Sequence, residues 1–197
     1  MSSTSLRLYP AIPDAAPDNV ADFFAALQTI GLIDPAIVYA GHGPYSPGRR
    51  FHELIAFRTS HTVMQLAVVD DQVQELGPVD SRGRCRVAFS AVLPAQAFLG
   101  MGNTRPPQCA TCGCKIAKWQ QAMDSWFADK SRYRWRCPVC AHETGPAAWD
   151  WRHSAAVARF TLDIHGIRYG EAYPSAEFLR FLAHYLGSTW GYFFCRV

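Results

Sequence analysis

Hydrophobic side chains recur at helical spacing near both ends of the chain. The first pattern lies between Asp18, a candidate N-cap, and Gly31, and comprises Val20, Phe23, Phe24, Leu27 and Ile30. The second lies between Ser175, another candidate N-cap, and Gly187, and comprises Phe178, Leu179, Phe181, Leu182, Tyr185 and Leu186. Asp and Ser commonly precede the first turn of a helix, and Gly commonly follows the last. The two patterns therefore predict two amphipathic helices of similar length.

Segments typical of β-strands flank both predicted helices. Ser5–Tyr9 and the extended segment Pro35–Tyr39 enclose the first helix, whereas Val157–Ile164, with alternating apolar positions, and Thr189–Val197 enclose the second. Three further segments rich in Val, Ile, Phe and Leu predict an antiparallel strand meander between them: Phe51–Phe57, Thr62–Val69 and Arg84–Leu93. We therefore predict an α+β fold with two β-α-β units around the meander, in a ferredoxin-like arrangement with both helices on one face. The alternative is that strand–helix–strand recurs by chance.

The composition is that of a globular protein. Of the 197 residues, 49% are hydrophobic and only 18% are charged, which excludes a chain kept disordered by its charge. The net charge of +3 is too small to indicate a partner. The first 17 residues lack the apolar run of a signal peptide, and no stretch is apolar enough to span a bilayer. We expect a cytoplasmic protein with reduced thiols, in which Cys85 and Cys195, both in predicted strands, are buried.

Two pairs of cysteines carry the most specific chemical signal. They are Cys109-Ala-Thr-Cys112 and Cys137-Pro-Val-Cys140, separated by 24 residues. Two C-x-x-C units supply four thiolates, which match the tetrahedral all-sulfur coordination of a structural Zn²⁺ ion. A closed four-cysteine site has no open coordination position, so it argues for a structural and against a catalytic metal. Thioredoxin-like redox chemistry needs only one such pair, at the start of a helix, and is therefore disfavoured.

The residues that follow each pair support this interpretation. Gly113 follows Cys112 and the small Ala141 follows Cys140, as a tight backbone turn around a metal requires. In these residues the chain resembles the zinc-ribbon group of folds. The resemblance implies a small zinc-binding module, here residues 105–151, inserted into an α+β domain formed by residues 1–104 and 152–197. The chain departs from a plain ribbon in Lys115–Asp129, where apolar residues at helical spacing predict a helix.

Other ligand choices remain open at this stage. Cys114 follows Cys112 by two residues, so it competes with the members of the first pair for the metal. His142 is a further candidate, although four thiols already complete a tetrahedral site.

The predicted module also concentrates basic and aromatic residues. Residues 105–152 contain eight basic and four acidic side chains, a net charge of +4, and five of the six tryptophans. Within them, basic and aromatic residues alternate from Lys130 to Arg136. On a strand, Lys130, Arg132, Arg134 and Arg136 would share one face, which makes them candidate contacts to nucleic acid. Alternatively, the basic residues offset the negative charge of four thiolates and the aromatic residues form the core of the module.

Signals for catalysis are weak. The sequence contains no nucleophile-elbow, nucleotide-binding or zinc-protease motif, and we predict no catalytic residue. His42, between two glycines, and the adjacent pair His52-Glu53 are the only suggestive residues. The sequence therefore favours a non-enzymatic protein with a structural zinc site that binds a protein partner, as regulatory or immunity-type proteins do. The alternatives are a nucleic-acid-binding protein that uses the basic module, and an enzyme with a site near His42 and His52.

Overall fold

The computed structural model describes residues 4–58, 63–69, 72–79 and 85–196, and these residues form α-helices and antiparallel sheets. The helices are α1 (Val20–Ile30), α2 (Phe51–Leu54), α3 (Trp119–Ala128) and α4 (Ala176–Leu186). The strands are β1 (Thr4–Pro10), β2 (Ile55–Phe57), β3 (Val63–Val69), β4 (Gln72–Val79), β5 (Arg86–Phe89), β6 (Ala97–Phe98), β7 (Trp135–Arg136), β8 (Glu143–Thr144), β9 (Val157–Ala158), β10 (Leu162–Ile167), β11 (Ala172–Pro174) and β12 (Trp190–Arg196). The predicted α+β class is confirmed.

A four-stranded sheet organises the two ends of the chain. Its strand order is β12-β1-β10-β5, and every neighbouring pair is antiparallel. Strands β1 and β5 are therefore parallel to each other, with α1 in the connection between them and β10 inserted between them in the sheet. Likewise, α4 lies in the connection between the parallel strands β10 and β12, which are separated by β1. These are two split β-α-β units with the strand order of a ferredoxin-like sheet.

Both long helices of these units pack on the same face of the sheet. One hydrophobic cluster contains Leu6 and Leu8 from β1 together with the buried residues of both helices, among them Phe23, Leu27, Phe178 and Leu182. The two helices also touch each other, since the rings of Phe23 and Tyr185 lie 5.3 Å apart. The apolar stripes recognised in the sequence are thus the surfaces that build the core.

The ends of these helices follow the sequence signals with one correction. Asn19, not Asp18, is the N-cap of α1, because its Oδ1 accepts a hydrogen bond from the amide of Ala21 at 2.9 Å. Ser175 caps α4 as predicted, accepting from the amide of Phe178 at 3.2 Å. Gly31 and Gly187 both adopt the left-handed conformation that ends a helix.

The predicted meander is not one sheet among the described residues. Strands β3 and β4 pair with each other as a hairpin. Strand β2 pairs with β11 and β5 pairs with β10, and both of these partners lie in the C-terminal part of the chain. The predicted strand Phe51–Phe57 begins as the short helix α2, because its buried residues Phe51, Leu54 and Ile55 follow helical spacing. Thr62 and Arg84, at the start of two predicted strands, lie outside the described residues, and Pro35–Tyr39 forms no strand.

The predicted strand Val157–Ile164 is divided into two. Strand β9 pairs with β6, and β10 pairs with β1 and β5. Thr161 and Asp163, which alternate with the apolar residues of this segment, are buried because the second face of the sheet is also covered. There Arg7 and Asp163 form an ion pair at 2.8 Å, and Phe193 and Cys195 pack in a third small cluster. Cys195 and Cys85 are buried, as predicted.

Two side chains occupy the outer edge of β12. Asn103 donates from Nδ2 to the carbonyl oxygen of Phe194 at 2.7 Å and accepts from the amide of Arg196 at 3.3 Å. His153 lies with Nδ1 3.0 Å from the carbonyl oxygen of Tyr192. These contacts satisfy backbone groups that a neighbouring strand would otherwise pair with.

Candidate metal centre

Four cysteine sulfurs form a compact group. The Sγ atoms of Cys109, Cys112, Cys137 and Cys140 all lie within 4.8 Å of one another. Two of the separations are 3.7 Å, from Cys109 to Cys140, and 3.5 Å, from Cys112 to Cys137. With Zn–S bonds of about 2.3 Å, the edges of a sulfur tetrahedron are about 3.8 Å long. The four thiols therefore have the spacing that a tetrahedral metal ion requires.

The two C-x-x-C segments have the same backbone hydrogen bonds. In the first, the amide of Cys109 donates to the carbonyl of Cys114 at 2.8 Å, and the amide of Gly113 donates to the carbonyl of Cys109 at 2.8 Å. The second repeats this pattern: the amide of Cys137 donates to the carbonyl of His142 at 2.9 Å, and that of Ala141 to the carbonyl of Cys137 at 2.9 Å. We call these segments the first and second knuckles, residues 109–114 and 137–142.

Each knuckle lies at the end of a short antiparallel ladder. Gln108 bridges to Lys115 around the first knuckle, and Arg136 of β7 pairs with Glu143 of β8 around the second. In both, the residue before the first cysteine pairs with the residue seven positions further along. Gln108 also pairs with Asp150, and this pairing connects the first knuckle to the segment that follows the second knuckle. The ladders thus present the two cysteine pairs to each other.

Backbone amides point at the sulfurs and favour the thiolate in one cysteine of each pair. A hydrogen bond from the amide of Cys112 lowers the pKa of the Cys109 thiol, against the opposing effect of burial. Burial raises the pKa of the Cys137 thiol, but hydrogen bonds from the amides of Cys140 and Val139 outweigh it, and the pKa falls to about 6. The thiolate form is therefore favoured at the first cysteine of each knuckle.

The second cysteine of each pair holds its proton more tightly. The amide of Cys114 donates to Cys112 and favours its thiolate, but burial and the three neighbouring thiols raise the pKa of Cys112 to about 12. The amide of His142 acts in the same way on Cys140, whose pKa is nevertheless raised by burial and by the thiols of Cys137 and Cys109. Four thiolates cannot ionise together at this spacing without a cation between them.

The structure leaves the two alternative ligands outside the sulfur group. The Cys114 side chain is half-buried, with its Sγ 3.6 Å from the carbonyl oxygen of Lys115. His142 is exposed and takes part through its backbone. Neither belongs to the cluster of possible metal ligands found among the described residues.

Tryptophans form the core beside the knuckles. Trp126, Trp149 and Trp151 are buried in a second hydrophobic cluster that also contains Ile116, Ala122, Met123, Ala155 and Val157. Trp119 and Trp135 pack against it. Trp149 and Trp151 are in ring contact at 5.6 Å, and the indole N–H of Trp151 donates to the carbonyl of Pro146 at 2.9 Å. The helix predicted over Lys115–Asp129 is present as α3 and supplies one side of this core.

The basic stretch is only partly a strand. Trp135–Arg136 alone belongs to a strand, although exposure alternates from Arg132 to Arg136. Tyr133 and Trp135 are half-buried against the tryptophan core, whereas the arginines between them are exposed. The aromatic residues of the stretch thus contribute to packing.

Three of the four predicted nucleic-acid contacts interact with the protein itself. Lys130 donates to the carbonyl of Gln96 at 2.6 Å and lies over the Trp126 ring at 5.1 Å. Arg134 donates to the carbonyls of Ser131 and Tyr133 at 3.1 and 2.8 Å. Arg132 lies 3.8 Å from a carboxylate oxygen of Asp129, and Arg136 is exposed.

The suggestive histidines lie in a different part of the fold. His42 is exposed, its carbonyl accepts the amide of Phe89 at 3.0 Å, and its ring lies edge-on to that of Phe89. The His52 ring packs beside the rings of Phe51 and Phe57. Glu53, its neighbour in the sequence, accepts a hydrogen bond from Arg50 at 2.6 Å.

A cleft beside the second knuckle was missed by sequence reasoning. It has a volume of about 460 Å³ and lies between the first part of α3 and residues 133–138. Its lining includes Lys115, Lys118, Gln121, Ser125, Tyr133 and Trp135. Lys118, Gln121, Ala122 and Ser125 recur at helical spacing, so they share one helix face, and this is the signal that could have identified one wall.

Comparisons with known proteins identify no relative. No protein-family model matches the chain, and neither the curated proteins nor the solved structures include a significant match. Among the described residues, no helix is long and apolar enough to cross a membrane.

Proposed function

We propose that the four cysteines bind one structural Zn²⁺ ion and that the protein is a non-enzymatic, cytoplasmic binding protein. The observation that carries the metal proposal is the repeated knuckle geometry. Two segments with the same hydrogen bonds bring four sulfurs to the spacing of a tetrahedral site. The ion would stabilise a zinc-ribbon-like module, residues 105–151, inserted in the domain formed by residues 1–104 and 152–197.

This donor set favours a thiophilic metal, and zinc is the one that we propose. Four thiolates in a tetrahedron suit Zn²⁺ or iron bound by sulfur, and the hard cations Mg²⁺ and Ca²⁺ prefer oxygen ligands. All four positions of a tetrahedral ion would be filled by the protein, so no position remains for a substrate or an activated water. The ion then has a structural role. It holds together two knuckles that are otherwise stabilised only by short antiparallel ladders.

We infer that the surface formed by the second knuckle and α3 binds a protein partner. Val139, at the tip of the second knuckle, is 71% exposed, and Phe127 of α3 is 52% exposed. We infer that a protein partner covers these two apolar side chains. Because two of the four candidate nucleic-acid contacts, Lys130 and Arg134, bind the protein itself, we place nucleic-acid binding second. His42 is exposed and the His52 ring packs beside the rings of Phe51 and Phe57, so we do not favour an enzyme site there.

Metal analysis of matched cysteine variants tests the proposal. Purified protein should contain about one zinc per chain by mass spectrometry of the metal, and Cys137→Ser should lose it and unfold residues 105–151, because structural zinc binding is folding free energy. Cys114→Ser is the control, since this thiol lies beside the group and outside it. Unchanged zinc content in Cys137→Ser, or loss of zinc in Cys114→Ser alone, would contradict the ligand set.

A further inference from the structure

The cleft beside the second knuckle is a shaped surface that the metal site does not use. Its 460 Å³ volume falls within the range of about 300–1,000 Å³ that is usual for ligand sites. One wall is a face of α3, and the other consists of Tyr133, Trp135 and Pro138. The aromatic rings are half-buried against the tryptophan core, so their position is set by packing. The cleft is thus open and mainly apolar, with an aromatic wall whose position is set by packing.

The charges around this cleft have one sign. Lys115 and Lys118 line it, and none of the lining residues is acidic. Both lysines are exposed, and neither makes a hydrogen bond or ion pair through its ammonium group to a described residue. An apolar interior with free ammonium groups beside it is complementary to an apolar side chain flanked by carboxylates.

We propose that this cleft binds a short acidic segment of a protein partner. One aromatic or aliphatic side chain of that segment enters between α3 and the Tyr133–Trp135 wall, and neighbouring carboxylates meet Lys115 and Lys118. The inference rests on the proposed function as a binding protein and names the chemistry of its partner.

A single-stranded nucleic acid fits these observations less well. A track of phosphates needs several free basic side chains along one groove, with open aromatic faces on which bases stack. Here Lys130 and Arg134 are engaged with the protein itself, and Arg132 and Arg136 are exposed but do not line the cleft. Two lysines beside an apolar cleft match a peptide with one or two carboxylates better than a polyphosphate chain.

Selection from a phage-displayed library of random short peptides, on the zinc-loaded full chain, tests the proposal. We expect enriched peptides in which Asp or Glu flanks a Leu, Phe or Trp. The double variant Lys115→Glu/Lys118→Glu should weaken a selected peptide by at least about tenfold, because it replaces attraction by repulsion. Ser125→Trp, on an exposed position that lines the cleft, should block the same peptide sterically.

A matched control variant carries the same change of net charge at two residues that lie outside the cleft. Arg49→Glu/Arg180→Glu alters two exposed residues outside the cleft and should leave peptide affinity unchanged. Circular dichroism and zinc content establish that each variant is folded. If Ser125→Trp does not fold, the charge-reversal variant still decides the question.

Three results would overturn the inference. The first is the absence of an enriched acidic consensus. The second is a consensus peptide whose affinity for the Lys115→Glu/Lys118→Glu variant equals its affinity for the wild type. The third is binding of labelled oligothymidylate or oligouridylate that is lost in the same variant while no peptide binds.

Zinc content separates this inference from the metal proposal. If the charge-reversal variant loses zinc and still binds the peptide, the lysines only offset the negative charge of the thiolates. A chain that contains no zinc but binds the peptide in the cleft would refute the metal proposal alone.

Discussion

The residue after the second cysteine is glycine in the first knuckle and alanine in the second, and this difference predicts opposite effects for two substitutions. Gly113 has a φ of 72° and Ala141, its equivalent, has a φ of 58°. Both lie in the left-handed region, which costs an L-residue roughly 1–2 kcal/mol and costs glycine almost nothing. A Cβ added at Gly113 would meet no atom within 4 Å. The backbone conformation is therefore the only penalty for Gly113→Ala.

The size of each effect follows from two opposing contributions. Ala141→Gly removes backbone strain of roughly 1–2 kcal/mol, which raises the free energy of unfolding. The greater freedom of glycine in the unfolded chain lowers the same free energy by about 0.4–1 kcal/mol. We expect a net stabilisation of about 0.5–1 kcal/mol from these two contributions. Gly113→Ala has the same two contributions with reversed signs, so it should destabilise the knuckle by a similar amount.

Competition with a chelator measures this difference, because folding of the knuckles and metal binding are coupled. A change of about 0.5–1 kcal/mol corresponds to a roughly two- to fivefold change in apparent zinc affinity. The affinity should rise in Ala141→Gly and fall in Gly113→Ala, with the double variant close to the wild type. A shift of both single variants in the same direction, or a reversed order, would refute the reasoning from backbone conformation.

Three further predictions concern the α+β fold. Asn19→Ala should lower the free energy of unfolding by about 1 kcal/mol in a urea titration, whereas Asp18→Ala should change it by less than about 0.5 kcal/mol; equal effects would contradict the cap assignment. Arg7→Met should destabilise by about 2 kcal/mol because Asp163 then lacks its partner, and a second change, Asp163→Leu, should restore most of the loss; failure of this rescue would contradict the ion-pair account. Asn103→Ala should promote self-association through the β12 edge in sedimentation velocity, and a distribution identical to the wild type would show that the edge is closed by other means.

Local signals predicted the helices α1, α3 and α4 and the grouping of the four cysteines. The N-cap of α4 and the glycine ends of α1 and α4 depend on residues within one turn, so they can be recognised in the sequence. The grouping of the four cysteines could also be predicted, because a C-x-x-C segment has a strong tendency to present both sulfurs to one point.

Long-range pairing could not be predicted in the same way. The segment beginning at Phe51 has both apolar content and helical spacing, and only its packing against the core makes it a helix. Thr161 and Asp163 alternate with apolar residues, but the covered second face of the sheet buries them as well. The cleft beside the second knuckle joins α3 to a segment several residues beyond it, so its apolar interior exists only in the folded chain.

The central claim is that four sulfurs hold one zinc ion, and X-ray absorption spectroscopy at the zinc edge tests it most directly. The purified full-length chain should give a first shell of four sulfurs at about 2.3 Å, with no nitrogen or oxygen ligand. A shell that contains a histidine nitrogen or a water oxygen, or fewer than four sulfurs, would contradict the closed structural site and with it the proposed role of both knuckles.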